Sequence, residues 1–511
     1  MSGEPIGAAC SENVDVVVVG GGPGGSTLAA LVAKRGHRVL LLEREKFPRH
    51  QIGESLLPST VHGVCRLSGV ADRLADAGFM VKYGGTYRWG ANPEPWTFSF
   101  SVSPNMPGPR SFAYQVERSV FDQILLEHAH DLGVDVREQC TATGVLEDGG
   151  RVRGLAYTDS GGVRREVRAR YVVDASGNGT RLAGAVGRRK YSDFFRSLAL
   201  YGYFEGGKRL PAPRSGNILS AAFDAGWFWY IPLTDHLTSV GAVVRREMAN
   251  QVQGDPDAAL KALIAQCPMI ADLLSDARRV TEGQYGRIRT RKDYSYYNTH
   301  FWRPGMALIG DAACFIDPVF STGVHLATYS AMLAARSINA VLAGEVAEEE
   351  AFNEFERRYR REYGTFYEYL MSFYDMHVSE DSYFWSAKKV TRSTRGDLES
   401  FVDLVGGISS SDQAFLDERA IERTGERSRE YAQAVDAMVA GGQESMLPIF
   451  QSGLVQEASL EGTQIQTFVE LGDDFESPLF AGGLIASPDG LSWSHAGRIG
   501  HAAGSGDGAR A

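Results

Sequence analysis

Three glycines and a glutamate near the N-terminus have the spacing of a dinucleotide-binding site. Gly20, Gly22 and Gly25 occupy the glycine positions of a G-x-G-x-x-G pattern directly after the apolar run VDVVVV, and Glu43 follows a second apolar run. Such glycines let backbone N–H groups approach a pyrophosphate at a helix N-terminus, and an acid about 20 residues later can accept a ribose hydroxyl. The pattern therefore predicts a dinucleotide site rather than an empty strand-to-helix turn.

A later turn indicates which dinucleotide is bound. In GMALIGDAACFIDPVFSTGVHLA an apolar run leads into Gly310 and Asp311, and an aspartate there can hydrogen-bond a ribityl chain. Together with the first unit and Asp174 in DASGNGT, this segment resembles the FAD-binding domain of the monooxygenase superfamily of flavoproteins. The resemblance implies FAD. Because the sequence has no second G-x-G-x-x-G, we expect reduced flavin to come from a separate reductase.

Rigid aromatic side chains are concentrated in GWFWYIP, residues 226–232, which holds two of the seven tryptophans. By itself, such a stretch most often forms part of a core strand. Its indoles could also separate a reactive cofactor from an organic substrate. Lys82 in KYGGTYRWG likewise has two interpretations, because a strand lysine is usually solvated but one in a dry tunnel favours its reactive neutral form.

Three stretches together resemble the flavin-dependent halogenases. GWFWYIP fits the W-x-W-x-I-P motif of that family, IGESLLP at 52–58 matches its I-G-E-[SA] stretch, and KYGGTYRWG at 82–90 matches the segment with the active-site lysine. The resemblance extends over roughly residues 12–400. It is nearest to the branch that acts on carrier-tethered phenols or pyrroles and includes the chondrochloren-pathway halogenase.

The resemblance implies an enzyme that uses FADH2, O2 and chloride or bromide to halogenate an electron-rich aromatic ring in natural-product biosynthesis. Its expected partners are a flavin reductase and an acyl or peptidyl carrier protein bearing the substrate. Backbone N–H groups suit the halide, because they bind an anion without adding an oxidisable nucleophile. No metal is expected. The implied residues are Lys82, Trp227 and Trp229 for catalysis, Thr322 and Gly323 for chloride, and Gly20, Gly22, Gly25, Glu43, Arg118, Asp174, Gly310, Asp311 and Pro318 for the cofactor.

One position departs from the pattern of the indole-acting members. Phe320 occupies the place of a glutamate thought to assist proton removal from the ring, which favours a phenol or pyrrole over free tryptophan. It also leaves no assigned general base, since His325 is more often a structural helix-face histidine. The alternative function is a monooxygenase or reductase of the same superfamily acting on a small hydrophobic substrate. A catalytically inactive flavin-binding partner is a further alternative.

The order of the elements predicts an α/β fold, with an FAD-binding Rossmann-like domain, an inserted antiparallel substrate sheet and a C-terminal helical region. Buried-strand runs occur early, at 168–175 and at 305–312, and alternating runs at about 195–245 lie between the last two. We expect FAD-binding segments at 12–90, 113–194 and 281–340, substrate-sheet segments at 91–112 and 195–280, a mainly helical region at 341–485 and a disordered tail at 486–511.

The helical region combines aromatic and basic side chains. Most of its aromatics are expected to pack in the core, and a few could roof a substrate cavity. The candidates are Tyr363, Phe366, Phe373 and Trp385. The basic side chains could steer an acidic carrier protein or simply form a solvated helix face. They are Arg357, Arg358, Arg360, Arg361, Lys388 and Lys389.

Bulk composition limits the partners and the location. The 511 residues are 43% hydrophobic and 23% charged, as in globular proteins, and carry a net charge of −11, which disfavours nucleic acid and anionic membranes as partners. The five scattered cysteines are expected to be reduced thiols. No apolar run approaches the ~20 residues needed to span a bilayer. Without a signal-peptide pattern, we expect a cytoplasmic protein.

Overall fold

The computed structural model describes residues 12–89, 94–102, 111–192, 194–292, 295–374 and 482–495. The helices of this part of the chain are α1 (Pro23–Ala33), α2 (Cys65–Ser68), α3 (Ala71–Asp76), α4 (Arg118–Asp131), α5 (Pro256–Ala265), α6 (Pro268–Leu273), α7 (Thr322–Leu342) and α8 (Glu348–Tyr374). The strands are β1 (Glu12–Val19), β2 (Val39–Leu42), β3 (Met80–Lys82), β4 (Gly84–Arg88), β5 (Trp96–Ser99), β6 (Ala113–Gln115), β7 (Asp135–Arg137), β8 (Thr141–Asp148), β9 (Arg151–Thr158), β10 (Arg164–Asp174), β11 (Arg189–Tyr191), β12 (Ser197–Glu205), β13 (Ile218–Phe223), β14 (Gly226–Pro232), β15 (Leu237–Arg245), β16 (Arg278–Arg279), β17 (Arg289–Lys292), β18 (Tyr296–Asn298), β19 (Trp302–Arg303), β20 (Met306–Leu308), β21 (Cys314–Phe315), β22 (Leu484–Ala486) and β23 (Trp493–His495).

A mainly parallel sheet forms the first layer. Its central strands run in the order β20-β10-β1-β2-β7, all parallel to their neighbours, while β19 pairs antiparallel with β20 and the hairpin β8-β9 extends from β10. Val16–Val19 of β1 and Val39–Leu42 of β2 are buried, as expected for strands covered on both faces. The carboxyl ends of β1, β2, β10 and β20 therefore lie at one edge, where parallel sheets bind ligands.

An antiparallel sheet forms the second layer. Its order is β16-β12-β15-β14-β13-β4-β5, with β17 pairing to β12, and β13-β4 is the parallel pair within it. All seven residues of β14, the stretch GWFWYIP, are buried. The alternating pattern at 195–245 thus forms β12 to β15, and the predicted α/β class with an inserted antiparallel sheet is confirmed.

Helices α7 and α8 cover the parallel sheet, and a C-terminal hairpin packs on α7. Strands β22 and β23 pair in this hairpin, and Trp493 is fully buried with its indole N–H 2.9 Å from the Ser337 hydroxyl oxygen. The tail predicted at 486–511 therefore contains ordered structure up to residue 495. The apolar residues Leu484, Ile485, Leu491 and Trp493 explain the difference, since all four are buried.

Several expectations for the C-terminal part fall on residues outside the described ranges. The predicted helical region is described up to Tyr374, the end of α8, and residues 375–481 are outside the described ranges.

None of the four described cysteines, Cys65, Cys140, Cys267 and Cys314, forms a disulfide. Within the described ranges, no helix combines the length and apolarity that crossing a bilayer requires.

Candidate active site

The glycines of the first turn allow an unusually close approach of backbone to backbone. Gly20 has a φ of +106°, and a Cβ on Gly25 would lie 1.9 Å from the carbonyl oxygen of Gly20. Gly22 is the N-cap of α1, where no side chain caps the helix. The first N–H groups of α1 therefore remain available to a ligand, as a pyrophosphate site requires.

Glu43 is held in place by the backbone. Its Oε2 accepts the Gly21 N–H at 2.7 Å and its Oε1 accepts the Glu45 N–H at 2.8 Å. The side chain is buried but lines a cavity at the carboxyl edge of the parallel sheet. Each carboxylate oxygen has more than one lone pair, so a ribose hydroxyl can still donate to it.

This cavity, called the central cavity below, joins most of the predicted site residues. Its wall includes the β1-α1 turn, the end of β2, the loop after β10, part of β14 and the start of α7. The predicted residues in the wall are Gly20, Gly22, Glu43, Arg118, Trp227, Trp229, Gly310, Asp311, Pro318 and Gly323. Gly25, Lys82, Asp174 and Thr322 are not among the lining residues.

Asp174 has a supporting position rather than a place in the wall. It is fully buried at the end of β10, where its Oδ1 accepts the N–H and the hydroxyl of Ser176 at 3.0 and 2.6 Å and its Oδ2 accepts the Thr180 hydroxyl. Its assignment to the cofactor-binding residues therefore stays a prediction. Asp174 fixes the loop that contains Ser176, Gly177 and Asn178, which do line the cavity.

Asp311 and Arg118 place opposite charges in the same wall. Burial raises the pKa of Asp311 to about 6, and Arg291, Arg118 and Arg189 act in the opposite direction. Arg118 donates to Asp122 from Nε and Nη2 at 2.6 and 2.9 Å and to the Ile52 and Gly53 carbonyls from Nη1. The guanidinium therefore ties α4 to the segment that continues into Glu54 and Ser55.

The residues present fit FAD. The central cavity is lined by both the glycine turn, which suits a pyrophosphate, and Asp311, which suits a ribityl chain. Close backbone approach at Gly20 and Gly25 leaves the turn compact, and Glu43 offers a fixed acceptor for a ribose. A dinucleotide that spans these groups would reach the wall formed by Trp227 and Trp229.

The two tryptophans of β14 point to the same face of their sheet, with ring centroids 6.2 Å apart. The Trp227 indole N–H donates to Tyr374 Oη at 2.6 Å, and the Trp229 indole N–H donates to Ser239 Oγ at 3.2 Å. Gly241 faces Trp229 across the β14-β15 pair, and a Cβ there would lie 2.3 Å from the indole ring. Both rings are thus fixed by a hydrogen bond, and the glycine leaves room for one of them.

Lys82 is buried, with 2% of its surface exposed. Its Nζ lies 3.0 Å from Ser55 Oγ and 3.0 Å from the Leu56 carbonyl oxygen. Burial lowers the pKa of Lys82 to about 7, so a substantial fraction of the amine is neutral at neutral pH. Ser55 lines the central cavity, so one residue of the wall lies between the amine and the cavity.

The start of α7 offers an anion site. Ser321, the N-cap, has a left-handed backbone with a φ of +62°, no side chain caps the helix, and its first turn holds no acid. Thr322 uses its hydroxyl internally, donating to the Asp317 carbonyl oxygen at 3.3 Å, whereas Gly323 lines the cavity. Only the backbone N–H of Thr322 is therefore left for a halide, which is the group an anion cradle needs.

A hydrogen-bonded chain connects the tryptophan wall to this turn. Tyr374 at the end of α8 accepts from Trp227 and donates to Asp317 Oδ2 at 2.9 Å. Asp317 is fully buried, and burial raises its pKa to about 7. Tyr374 thereby holds β14 and the α7 turn in one arrangement.

The two positions that sequence left without a role have clear surroundings. Phe320 is buried against Tyr87 and Phe373, at centroid distances of 6.0 and 4.6 Å. His325 accepts or donates at both nitrogens, with Nδ1 2.9 Å from Ser59 Oγ and Nε2 2.7 Å from Glu362 Oε1. Its burial with two partners agrees with a structural histidine.

The described aromatic candidates of α8 pack in the core, as expected for most aromatics of this region. Tyr363, Phe366 and Phe373 are buried and none of them lines the central cavity; Trp385 lies outside the described residues.

The basic face that was considered for docking a carrier protein is described only in part, and most of its described arginines bond to groups within the protein. Arg358 and Arg361 are buried, and Arg360 bonds Glu356 and the Asn298 and Thr299 carbonyls, whereas Lys388 and Lys389 lie outside the described ranges.

Other cavity residues were missed by sequence reasoning. Glu54 and Ser55 belong to IGESLLP, which served only as a family motif although it contains an acid and a hydroxyl. Tyr203 donates to Glu54, and Tyr374 accepts from Trp227. The partners in each pair are more than 140 residues apart, so no local pattern could reveal these contacts. Within the described ranges, no cluster of three or more His, Cys, Asp or Glu is arranged to hold a metal ion.

Comparison with known proteins adds an independent finding. Residues 15–108 and 103–422 match the family model described as Tryptophan halogenase. A tryptophan 2-halogenase of Chondromyces crocatus is 33% identical over 386 residues, which cover 75% of this chain and 72% of that protein. A 1H-pyrrole-2-carbonyl-[peptidyl-carrier protein] chlorinase of Pseudomonas fluorescens is 30% identical over 385 residues, covering 71% of this chain and 84% of that protein.

A solved structure gives a further likeness. The myxobacterial chondrochloren halogenase CndH, described as a new variant of FAD-dependent halogenases, is 53% identical. It matches with a TM-score of 0.74 over 94% of this chain and 100% of that chain.

Proposed function

Since the chain belongs to the flavin-dependent halogenases, we propose that it halogenates an electron-rich aromatic ring, a phenol or a pyrrole. It is an oxidoreductase that uses FAD and a halide, and such enzymes need a flavin reductase. Reduced FAD, when bound, would supply two electrons to O2, and the activated oxygen would oxidise the halide to hypohalous acid. The residues of this chain must then bind the halide, carry the oxidant and keep the ring away from the flavin.

The observation that carries the proposal is the position of Lys82 behind Ser55. The amine is buried, its pKa is lowered to about 7, and its partner Ser55 shares a cavity with the glycine turn and both tryptophans. A neutral amine has a lone pair that can form a haloamine with hypohalous acid, releasing water, whereas an ammonium group can only donate hydrogen bonds to it. We assign Lys82 the role of holding the oxidant close to the ring.

Trp227 and Trp229 are proposed to separate the flavin from the organic substrate. Both rings lie in the cavity wall and are held by Tyr374 and Ser239. Hypohalous acid would be small enough to pass between the two tryptophans and the opposite wall of the cavity, whereas an aromatic substrate would be too large to do so. Without this separation the ring would meet activated oxygen directly, and hydroxylation would compete with halogenation.

The halide is proposed to bind at the start of α7. The uncapped first turn, the close approach allowed by Gly323 and the absence of an acid in that turn all favour an anion. Pro318 and Gly323 line the central cavity, which would bring the halide near the flavin.

The surroundings of Phe320 support a phenol or a pyrrole. Phe320 packs against Tyr87 and Phe373, so the side chain at this place is apolar and cannot itself remove a ring proton. A phenol or pyrrole needs less help, because its own oxygen or nitrogen stabilises the cationic intermediate.

We further propose that the ring is tethered to an acyl or peptidyl carrier protein. This part is supported by the Pseudomonas relative, whose name specifies a carrier-bound pyrrole. The arginines of α8 do not support carrier binding, because Arg358 and Arg360 donate to backbone carbonyls within the protein. Equal rates for a free aromatic acid and its carrier-loaded thioester would contradict tethering.

Mass spectrometry of the products tests the proposal as a whole. The enzyme, FAD, a flavin reductase and chloride would be incubated with phenolic and pyrrolic acids, free and carrier-loaded. We expect a product with the two-isotope pattern of chlorine that depends on added chloride. A product that gains only oxygen would contradict the proposal and favour a monooxygenase.

A further inference from the structure

We propose that His50, Tyr203 and Glu54 form a relay that delivers protons from the protein exterior to the central cavity. The inference rests on the proposed function, because halide oxidation is the step that needs the protons. Each halide oxidised consumes one. O2 takes two electrons from FADH2 and two from Cl⁻, its O–O bond breaks, and one oxygen forms the O–Cl bond while the other leaves as water. FADH2, O2, Cl⁻ and H⁺ thus give FAD, HOCl and H2O.

The inner end of the relay is Glu54. It is 2% exposed and lines the central cavity. Its Oε1 accepts the Tyr203 hydroxyl at 2.7 Å. Among the residues that the structure describes, none makes a hydrogen bond of normal geometry to Oε2, although the Ser239 hydroxyl is close enough to favour the carboxylate. Oε2 is itself buried, so the carboxyl group must rotate before one of its oxygens meets a group inside the cavity that Glu54 lines.

The outer end is His50, whose Nε2 lies 2.8 Å from the Tyr203 hydroxyl oxygen. Tyr203 is fully buried, whereas His50 is only partly buried. The imidazole can therefore exchange protons with water, and the tyrosine connects it to an acid that water does not reach directly.

The hydrogen bonds give the relay a direction. Because Tyr203 donates its single proton to Glu54, its oxygen must accept from His50, which fixes the proton of the neutral imidazole on Nε2. A proton that binds Nδ1 releases the Nε2 proton to the tyrosine oxygen. The tyrosine proton then moves to Glu54 Oε1, which leaves a neutral carboxylic acid. Rotation of the carboxyl group then turns the protonated oxygen from Tyr203 towards the cavity, where the acid releases its proton. Return of the carboxylate, rotation of the tyrosine hydroxyl and a tautomer change of the imidazole restore the start.

The charges around the two ends favour this inward direction. Burial raises the pKa of Glu54 to about 7, opposed by hydrogen bonds from Ser239 and Tyr203 and by Arg118, and supported by Glu117. The pKa of His50 is lowered to about 4, first by burial and then by four guanidinium groups, those of Arg289, Arg118, Arg291 and Arg49. A proton that enters at His50 is therefore more stable on Glu54. The remaining titratable neighbours are tyrosines, whose rings contact His50 or Tyr203: Tyr201 and Tyr285.

Glu54 is distinct from the lysine site although the two adjoin. Ser55, the next residue, contacts Lys82, while the Glu54 carboxyl group faces Tyr203 on β12. One short segment thus presents a proton donor and the partner of the lysine to the same cavity. This separation allows the relay to be tested without disturbing Lys82.

Chemical rescue tests the relay in the holoenzyme. Formation of hypochlorous acid would be measured with FADH2, O2 and chloride but without an aromatic substrate. In His50→Ala and Tyr203→Phe we expect a fall of about 100-fold, typical of a lost acid–base group. Added imidazole should restore the rate of His50→Ala, because it can fill the space and donate to Tyr203, but not that of Tyr203→Phe. Tyr201→Phe, on the same strand, should keep the rate of the wild type.

Unchanged rates in both variants would overturn the relay, as would a loss in His50→Ala that imidazole does not restore at any concentration. An infrared titration of the resting protein gives a second readout that does not depend on turnover. Buried Asp317 also has a pKa of about 7, so the Glu54 band is identified in the difference between the wild type and Glu54→Gln. We expect one carboxyl C=O band that titrates near pH 7 in this difference and that shifts in Tyr203→Phe. A difference without such a band, or a band that does not respond to Tyr203→Phe, contradicts the inference. If the wild type forms no hypochlorous acid, the proposed function fails, and the infrared result still decides whether the relay exists.

Discussion

Lys82 Nζ lies 3.0 Å from Ser55 Oγ, and this contact joins a buried amine to a residue in the wall of the central cavity. The amine also contacts the Leu56 carbonyl oxygen, so its two identified acceptors come from one short segment. Neither acceptor carries a charge. Burial is therefore uncompensated by an acid, which explains why the pKa of Lys82 is lowered.

Lys82→Met should abolish ring halogenation while FAD remains bound. The substitution keeps a flexible side chain of similar length but removes the amine that is proposed to hold the oxidant. We expect a loss of about 100-fold or more in product formation, measured by mass spectrometry, with an unchanged flavin absorbance spectrum. Lys208→Met, which removes an exposed lysine paired with Asp272, is the matched control. Loss of FAD from the Lys82 variant would show that the lysine is structural.

The same variant should alter how stability depends on pH. Since the folded pKa of Lys82 is about 7 and the ordinary value is 10.5, the unfolded chain binds a proton between these pH values that the folded chain does not. The stability of the wild type relative to Lys82→Met should therefore rise as the pH increases from about 7 to about 10.5. Denaturant unfolding at several pH values measures the difference. A constant difference over this range would mean that Lys82 stays charged when folded.

Tyr374→Phe should loosen the tryptophan wall. It removes the acceptor of the Trp227 indole N–H and the donor to Asp317, both buried, at a cost of about 1–3 kcal/mol in the free energy of unfolding. We also expect more hypochlorous acid to escape per halogenated product, measured with an oxidant trap. Tyr367→Phe on the same helix, which loses a contact to Ser192, serves as control. Equal escape in both variants would contradict a role for Tyr374 in positioning Trp227.

Gly241→Ala should displace the Trp229 indole. The added methyl group would lie 2.3 Å from the ring, and neither strand can yield easily because β14 and β15 are paired along their length. We expect a destabilisation of about 1–3 kcal/mol and a changed tryptophan fluorescence spectrum. Gly144→Ala, where a Cβ would have no atom within 4 Å, should leave both unchanged. An unaltered spectrum in Gly241→Ala would mean that the ring is not confined.

His325→Leu should destabilise the protein without a specific effect on chemistry. It strands the buried carboxylate of Glu362, at a cost of about 3–5 kcal/mol for a broken buried pair. Burial raises the pKa of Glu362, and His325 opposes this shift. Loss of His325 should therefore raise that pKa further, and the destabilisation should grow as the pH rises and the acid ionises. Ser59→Ala should cost only about 1 kcal/mol. A stable His325 variant that lacks activity would reveal a chemical role.

Sequence reasoning succeeded where residues act through their local backbone or through a motif. The first glycine turn, β14 and the start of α7 lie where the pattern predicts them, because strand periodicity and glycine spacing are local properties. Side chains that have a choice of partners are harder to place from sequence. Asp174 uses both oxygens within its own loop, Thr322 bonds the Asp317 carbonyl, and neither residue is among those that line the cavity.

The pairing of the arginines of α8 could have been predicted from the spacing of charged residues in the sequence. Arg358 and Arg360 each follow a glutamate by four residues, and both pairs form. Spacing of this kind favours pairing along one helix over a free basic face. By contrast, the contact between Glu54 and Tyr203 spans 149 positions of the chain and depends on how the two layers meet.

The hairpin of β22 and β23 limits how far the chain can be truncated from its C-terminal side. Asn339 donates to the Leu491 carbonyl at 2.7 Å, Arg336 donates to the Gly490 carbonyl at 2.8 Å, and both side chains are buried on α7. Deleting everything after Tyr374 would remove these two acceptors from the helix whose first turn is proposed to bind the halide. A shortened chain should therefore extend at least to His495, so that the β22–β23 hairpin is kept.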